Sequence, residues 1–163
     1  MSSAGGQARS GSGIVSKRLA ELCITLPAVA APLAAYVPAV RTGNLVYTSG
    51  QLPLEGGDPT HTGKAGAEVS PEDAKAAART CALNALAAIH ALVGVDSIVR
   101  VVKVVGFVAS APGFTGQPGI VNGASEFLGE VFGEAGAHAR SAVGVAELPL
   151  GVPVEVELIV EVA

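Results

Sequence analysis

The chain has 163 residues, of which 50% are hydrophobic but only 4% aromatic, and its net charge is −4. This length fits one domain, and the absence of a basic cluster interleaved with aromatics argues against a groove for nucleic acid. Because so small a domain cannot bury that much apolar surface alone, we expect part of it to be buried between subunits.

The cysteines and histidines give no sign of a metal site. Cys23 and Cys81 follow neither a metal-ligand nor a CxxC spacing, and the three histidines are scattered, so we expect no metal and reduced thiols, as in a cytoplasmic protein. The apolar segment 22–40 could be read as a signal or membrane segment, but the prolines within it interrupt a continuous helix. We therefore expect no membrane partner.

The N-terminal part of the chain predicts little regular structure. Residues 1–13 are rich in Gly and Ser and are predicted to form a disordered tail ahead of a single domain at 14–163. Apolar spacing predicts a short helix over 14–22. The proline-interrupted stretch 23–38 is expected to be extended, with a short strand near Ile24.

The middle of the chain carries clearer signals. A β-rich strand is predicted over 44–49 and a polar loop over 53–69. Ser70 can cap a helix whose first residue is Pro71, and Gly94 can end that helix after Val93. Its predicted apolar face consists mostly of small residues: Ala74, Ala78, Cys81, Ala85, Ile89 and Leu92.

Strands dominate the C-terminal half. A Val-rich strand is predicted over 98–109, a second main helix over 120–132, and two strands over 140–147 and 154–162. The last strand alternates strictly between apolar and mostly acidic positions, and the turn 149–151 is expected to join the last two strands as a hairpin. The predicted fold is α+β, with two main helices on one face of a mixed sheet whose other face needs a partner.

One arginine stands out because its surroundings are apolar. Arg140 lies among Ala139, Ser141, Ala142 and Val143, and an arginine buried there must find an anion or other acceptors. Two interpretations remain open: a structural salt bridge, for which Glu155 is a candidate, or a bidentate clamp for a ligand carboxylate. No Ser-His-Asp order, phosphate-binding loop or HExxH motif occurs.

Four segments of the chain form a pattern when they are taken together. Residues 139–149 read ARSAVGVAELP and precede VEVE at 154–157; residues 43–53 read GNLVYTSGQLP. Tyr36 ahead of this second segment and Val121-Asn122 in the second main helix complete the pattern. It resembles the RidA family, also known as the YjgF or endoribonuclease L-PSP family; the matches span roughly residues 30 to 163 and arrive in the family's order.

The resemblance implies a chorismate-mutase-like fold, a homotrimer and clefts between subunits. It implies no cofactor, and it implies hydrolysis of 2-imino or 2-enamino acids to 2-keto acids and ammonia, with a small carboxylate-bearing metabolite as the partner. The implied roles are a carboxylate clamp for Arg140, water activation for Glu155 and orientation of the site for Asn122. Tyr36, Ser49 and Gly50 would line the pocket.

Each implied role has a structural alternative. Ser49 and Gly50 could simply end a strand, Tyr36 could be a core or interface aromatic, and Asn122 could be a helix cap. The sequence also departs from the family: Ala142 replaces a frequent Cys, and His138 stands where relatives usually have Pro or a small residue. These departures indicate a divergent branch, and two other functions stay open, a non-catalytic carboxylate-binding protein and an endoribonuclease or translation inhibitor.

Overall fold

The computed structural model describes residues 13–29 and 35–163, so most of the predicted N-terminal tail lies outside the described residues. In chain order the elements are α1 (Ile14–Glu21), β1 (Ala39–Thr42), β2 (Leu45–Thr48), β3 (Leu54–Glu55), β4 (Asp58–Pro59), α2 (Pro71–Val93), β5 (Ile98–Ala109), α3 (Gln117–Phe132), β6 (Ala139–Val145) and β7 (Val154–Val162). Short 3₁₀ turns precede β5, β6 and β7.

Five strands form a mixed sheet in the order β1-β2-β7-β5-β6. The β5–β6 pair is parallel and the other pairs are antiparallel. Helices α2 and α3 pack together over the face formed by the buried side chains of β5 and β7. The predicted α+β architecture with a mixed sheet is therefore confirmed.

The expected hairpin between the last two strands is wrong. β7 lies between β2 and β5, and β6 lies at the edge of the sheet beside β5. The turn Pro149–Gly151, in which Leu150 has a φ of 59°, leads the chain back along β5 instead of into a tight hairpin. β7 can pair on both sides because its hydrogen-bonding edges carry no proline.

Helix α2 begins and ends at the predicted residues. The Ser70 hydroxyl accepts a hydrogen bond of 3.1 Å from the Asp73 amide, and Gly94 follows Val93 with a φ of 81°. The small residues of the predicted apolar face are buried, but Leu92 is 46% exposed. That one assignment is wrong.

Four features of the chain up to the start of α3 differ from the expectations. Strand β1 pairs with β2 although only extended chain to residue 38 was predicted, and no strand forms at Ile24 among the described residues. The loop 53–69 contains the short β3–β4 hairpin. Helix α3 begins three residues early, at Gln117, because Pro118 needs no backbone partner in a first turn.

The two faces of β7 differ as its alternation predicted. Its apolar positions are buried against the helices, whereas the positions between them are only partly buried. We call the sheet surface opposite the helices the open face. It carries exposed apolar side chains at Val40, Tyr47 and Val143, which are 52%, 43% and 45% exposed.

Helix α2 is long and apolar enough to cross a membrane by length and composition alone. Half of its most apolar window is buried inside the domain, as is common for the core helix of a folded domain. No other helix of residues 13–29 and 35–163 meets the same criterion.

Candidate functional site

Arg140 lies on the edge strand β6 and points toward α3. It pairs with the fully buried Val104 of β5, so both side chains lie on the helix side of the sheet. Its Nη1 donates to Asn122 Oδ1 at 2.7 Å and to Ser125 Oγ at 3.2 Å. Asn122 and Ser125 lie one helical turn apart on α3, so both can face the same guanidinium.

The guanidinium keeps one edge available. Arg140 has five N–H donors, and the two on Nη1 are used by Asn122 and Ser125. The Nε donor and both Nη2 donors have no hydrogen-bond or salt-bridge partner within residues 13–29 and 35–163. Nε and Nη2 together form the fork that matches a carboxylate.

Glu155 lies on the opposite face of the sheet. It pairs with Phe107 of β5, which in turn pairs with the exposed Val143 of β6, so its side chain is on the open face. The register places it three residues along and two strands across from Arg140, which corresponds to roughly 14 Å between their Cα atoms. A salt bridge between Glu155 and Arg140 within one chain is therefore excluded, and that interpretation was wrong.

Burial perturbs the Glu155 carboxyl. Its pKa is raised above the ordinary value of 4.5, first by desolvation and second by the neighbouring charge of Glu157. The carboxylate also packs directly against Gly50, where an added methyl group would overlap it. A carboxylate whose pKa is raised in this way is a stronger base than an ordinary glutamate, which suits it to general acid–base catalysis.

Tyr36, Ser49 and Gly50 lie near this carboxylate rather than near Arg140. The Ser49 hydroxyl donates to the Val37 carbonyl at 2.6 Å, which ties the end of β2 to the segment after Tyr36. Gln51 exchanges backbone hydrogen bonds with Val156 of β7. Tyr36 is 53% exposed, so it is not a core aromatic of this chain.

A cavity of about 410 Å³ adjoins the residues around Glu155. Its lining includes Tyr36, Gly50, Gln51 and Asn84. The volume is in the range of small-molecule pockets. The Asn84 side chain donates to the carbonyls of Leu52 and Leu54 at 3.0 Å each, so it fixes the wall of the cavity.

The six predicted site residues therefore form two groups in one chain. Arg140 and Asn122 lie on the helix side at the sheet edge, whereas Tyr36, Ser49, Gly50 and Glu155 lie around the ends of β2 and β7. Asn122 is in the second turn of α3 and accepts from Arg140, so the interpretation as a helix cap is wrong. Ser125 was not predicted, although its spacing of three from Asn122 is the signal that could have indicated it.

The described residues bring together no set of side chains that could hold a metal ion. Within residues 13–29 and 35–163, no three His, Cys, Asp or Glu side chains converge. Cys81 is fully buried, and desolvation raises its pKa well above the ordinary thiol value. Such a thiol is unreactive and serves packing.

We expect the raised pKa of Glu155 to make the protein less stable as pH rises. Below pH 4.5 the carboxyl is protonated in folded and unfolded chains alike; as pH rises from 4.5 through the raised value, the unfolded chain loses its proton first and stability falls. Glu155→Gln should therefore raise the melting temperature by about 1–3 °C at pH 7 and leave it unchanged at pH 3. Glu161→Gln, on the same face of β7, is the control. Equal shifts at both pH values would contradict this account.

Comparison with known proteins places the chain in a family. A family model described as Endoribonuclease L-PSP matches residues 27–162. Protein TCP17 of Trypanosoma cruzi is 47% identical over 92% of this chain and 95% of its own length. The crystal structure of Atu1372 from Agrobacterium tumefaciens, described as of unknown function, has a TM-score of 0.85 at 45% identity, with 93% and 94% of the two chains covered.

A third relative was solved with a ligand. The crystal structure of Escherichia coli TdcF with bound serine has a TM-score of 0.62 at 26% identity, covering 85% of this chain and 96% of that one. The family model spans most of the chain, and the fold and ordered motifs agree with it. The chain therefore belongs to the endoribonuclease L-PSP family, which is the YjgF or RidA family.

Proposed function

We propose that the protein hydrolyses reactive 2-imino and 2-enamino acids to 2-keto acids and ammonia, at clefts between the subunits of a homotrimer. The observation that carries this proposal is the open edge of Arg140. An arginine held by two acceptors on α3, with Nε and Nη2 unpaired within the described residues, is prepared to bind a carboxylate in a bidentate manner.

A second copy of the chain supplies the missing half of the site. Arg140 and Glu155 lie on opposite faces of one sheet, roughly 14 Å apart, which is too far for both to contact one small acid. A neighbouring subunit packed on the open face would cover Val40, Tyr47 and Val143. The same packing would bring its Arg140 toward the group around Glu155, and a heterologous contact of this kind closes into a ring when its rotation brings the last subunit back to the first.

The chemistry needs only positioning and proton transfer. In the cleft, Arg140 of one subunit holds the carboxylate of the protonated imine, and Glu155 of the next takes a proton from water as the oxygen adds to the imine carbon. Glu155 returns that proton to the nitrogen of the resulting carbinolamine and takes the hydroxyl proton as the C–N bond breaks; the 2-keto acid and ammonia leave, and the proton then passes to solvent. An enamine first takes up a proton on carbon to become the imine. Proton transfer by a placed carboxyl contributes about two to four orders of magnitude.

The direct test measures 2-keto acid release from 2-iminopropionate formed in situ by an amino-acid oxidase. We expect the protein to exceed the spontaneous rate and Arg140→Ala to lower kcat/KM by about two orders of magnitude. The kcat/KM of Arg140→Lys should lie between those of the wild type and Arg140→Ala, because lysine keeps the charge but lacks the two-pronged donor edge of the guanidinium. Arg100→Ala, an exposed arginine of β5, is the matched control. Wild-type and Arg140→Ala rates that both equal the spontaneous rate would refute the proposed enzymatic activity.

A non-catalytic role at the same cleft is the second candidate. It is favoured by the relative that was solved with bound serine, a small carboxylate-bearing molecule. In that case pyruvate or serine would bind in an Arg140-dependent manner without any acceleration of imine hydrolysis. RNA cleavage that persists after stringent purification and is lost in Arg140→Ala would favour a nuclease instead. We place the protein in the cytoplasm, where amino-acid metabolism supplies such imines.

A further inference from the structure

A hydrogen-bonded chain formed by Ser125 and His138 lies behind Arg140. Ser125 Oγ lies 3.2 Å from Arg140 Nη1 and 2.9 Å from His138 Nε2. His138 Nδ1 lies 2.6 Å from the Gly136 carbonyl oxygen. The chain thus runs from the guanidinium through a hydroxyl and an imidazole to the backbone.

With a neutral imidazole, the chemistry of the groups allows only one direction for each bond. A carbonyl oxygen can only accept, so His138 Nδ1 carries the hydrogen and Nε2 of the neutral ring is an acceptor. The guanidinium can only donate, so Ser125 Oγ accepts from Arg140 and gives its own hydrogen to His138 Nε2. No alternative arrangement satisfies all three contacts with a neutral imidazole.

The far end of the chain rests on rigid backbone. Gly136 is buried, and a methyl group there would lie 2.6 Å from the Leu128 carbonyl oxygen of α3. The 3₁₀ turn that holds Gly136 therefore packs directly on the helix that holds Ser125. Both partners of His138 are fixed to the same element, and the imidazole has little freedom to turn.

We propose that Ser125 and His138 are positioning residues that hold the Arg140 guanidinium with its Nε–Nη2 edge toward the ligand, an inference that rests on the proposed function. Asn122 alone would leave the guanidinium free to rotate about a single hydrogen bond. Ser125 occupies the second Nη1 donor, so the remaining fork has one orientation. His138 acts by fixing which lone pair of the Ser125 oxygen faces the arginine.

The experiment compares pyruvate affinity and steady-state kinetics for Ser125→Ala, His138→Phe and the double variant. Each single variant should weaken pyruvate binding and raise KM by about three- to tenfold with little change in kcat. The double variant should bind pyruvate no more weakly than the weaker of the two single variants, because either change breaks the same hydrogen-bonded series. His138→Gln, whose amide oxygen can accept from Ser125, should recover most of the affinity.

Two controls separate this inference from its alternatives. Thr80→Val removes a hydroxyl that donates to the Ala76 carbonyl of its own helix α2, whereas the described partners of Arg140 lie on α3, and it should leave affinity unchanged. Nitrogen NMR of His138 should show the neutral ring protonated on Nδ1, and the opposite tautomer would overturn the inference. So would wild-type affinity in Ser125→Ala and His138→Phe while Arg140→Ala abolishes binding. Undiminished binding in Arg140→Ala would instead refute the proposed function itself.

Discussion

Mixed oligomers of two inactive variants should regain about a quarter of the wild-type activity. Arg140→Ala and Glu155→Gln should each be nearly inactive alone, since each removes one half of every cleft. When the two are unfolded, mixed in equal amounts and refolded together, a cleft is intact if its arginine comes from a Glu155→Gln subunit and its glutamate from an Arg140→Ala subunit. In a ring with random assembly that occurs at about one cleft in four.

The physical reason lies in the sheet. Arg140 is on the helix side of β6, and Glu155 is on the open face of β7, so a single subunit cannot bring both to one ligand. The prediction does not depend on the number of subunits in the ring. Sedimentation of the wild type then gives that number, for which we expect three.

Two controls give the complementation experiment its meaning. Asn122→Ala and Arg140→Ala change residues that contact each other in one chain, so their mixture should show no recovery of the kind expected above. Each variant refolded alone checks that the procedure itself restores nothing. A mixture of Arg140→Ala with Glu155→Gln that stays inactive although hetero-oligomers form would show that the two residues do not share an intersubunit site.

Local signals explain which parts of the fold could be predicted. Helix α2 was predicted to the residue because Ser70, Pro71 and Gly94 act on their immediate neighbours. The strands beside β7 were not predicted correctly, because strand order depends on contacts between segments that are distant in the chain. The short turn before β7 does not indicate that β7 lies between β2 and β5 instead of beside β6.

The same distinction applies to the site. Arg140 could be identified from sequence because a charge among small apolar residues needs a partner wherever it folds. The face of the sheet on which Arg140 lies could not be predicted, because β6 lacks a clear alternation of apolar and polar residues. Its burial pattern shows no period of two. Ser125 meets Arg140, and His138 meets Ser125, only because α3 packs beside β6, and that is tertiary information.

Gly123→Ala should destabilise the protein strongly, by about 2–4 kcal/mol. Gly123 is a buried residue of α3 that lies against the Lys75 backbone of α2. A methyl group there would overlap the Lys75 carbonyl oxygen, and since backbone cannot turn away as a side chain can, the two helices must separate. The loss can be measured as the free energy of unfolding in urea.

Gly129→Ala is the matched control on the same helix. Outside its own stretch of helix, no atom of residues 13–29 and 35–163 lies within 4 Å of the position its methyl group would take, so the change should stabilise α3 by about 0.5–1 kcal/mol through its better helix propensity. Because Asn122 and Ser125 flank Gly123, separation of the helices should also weaken pyruvate binding in Gly123→Ala and not in Gly129→Ala. Equal stability changes in the two variants would mean that the close approach of α2 and α3 at Gly123 does not hold the arginine's supports in place.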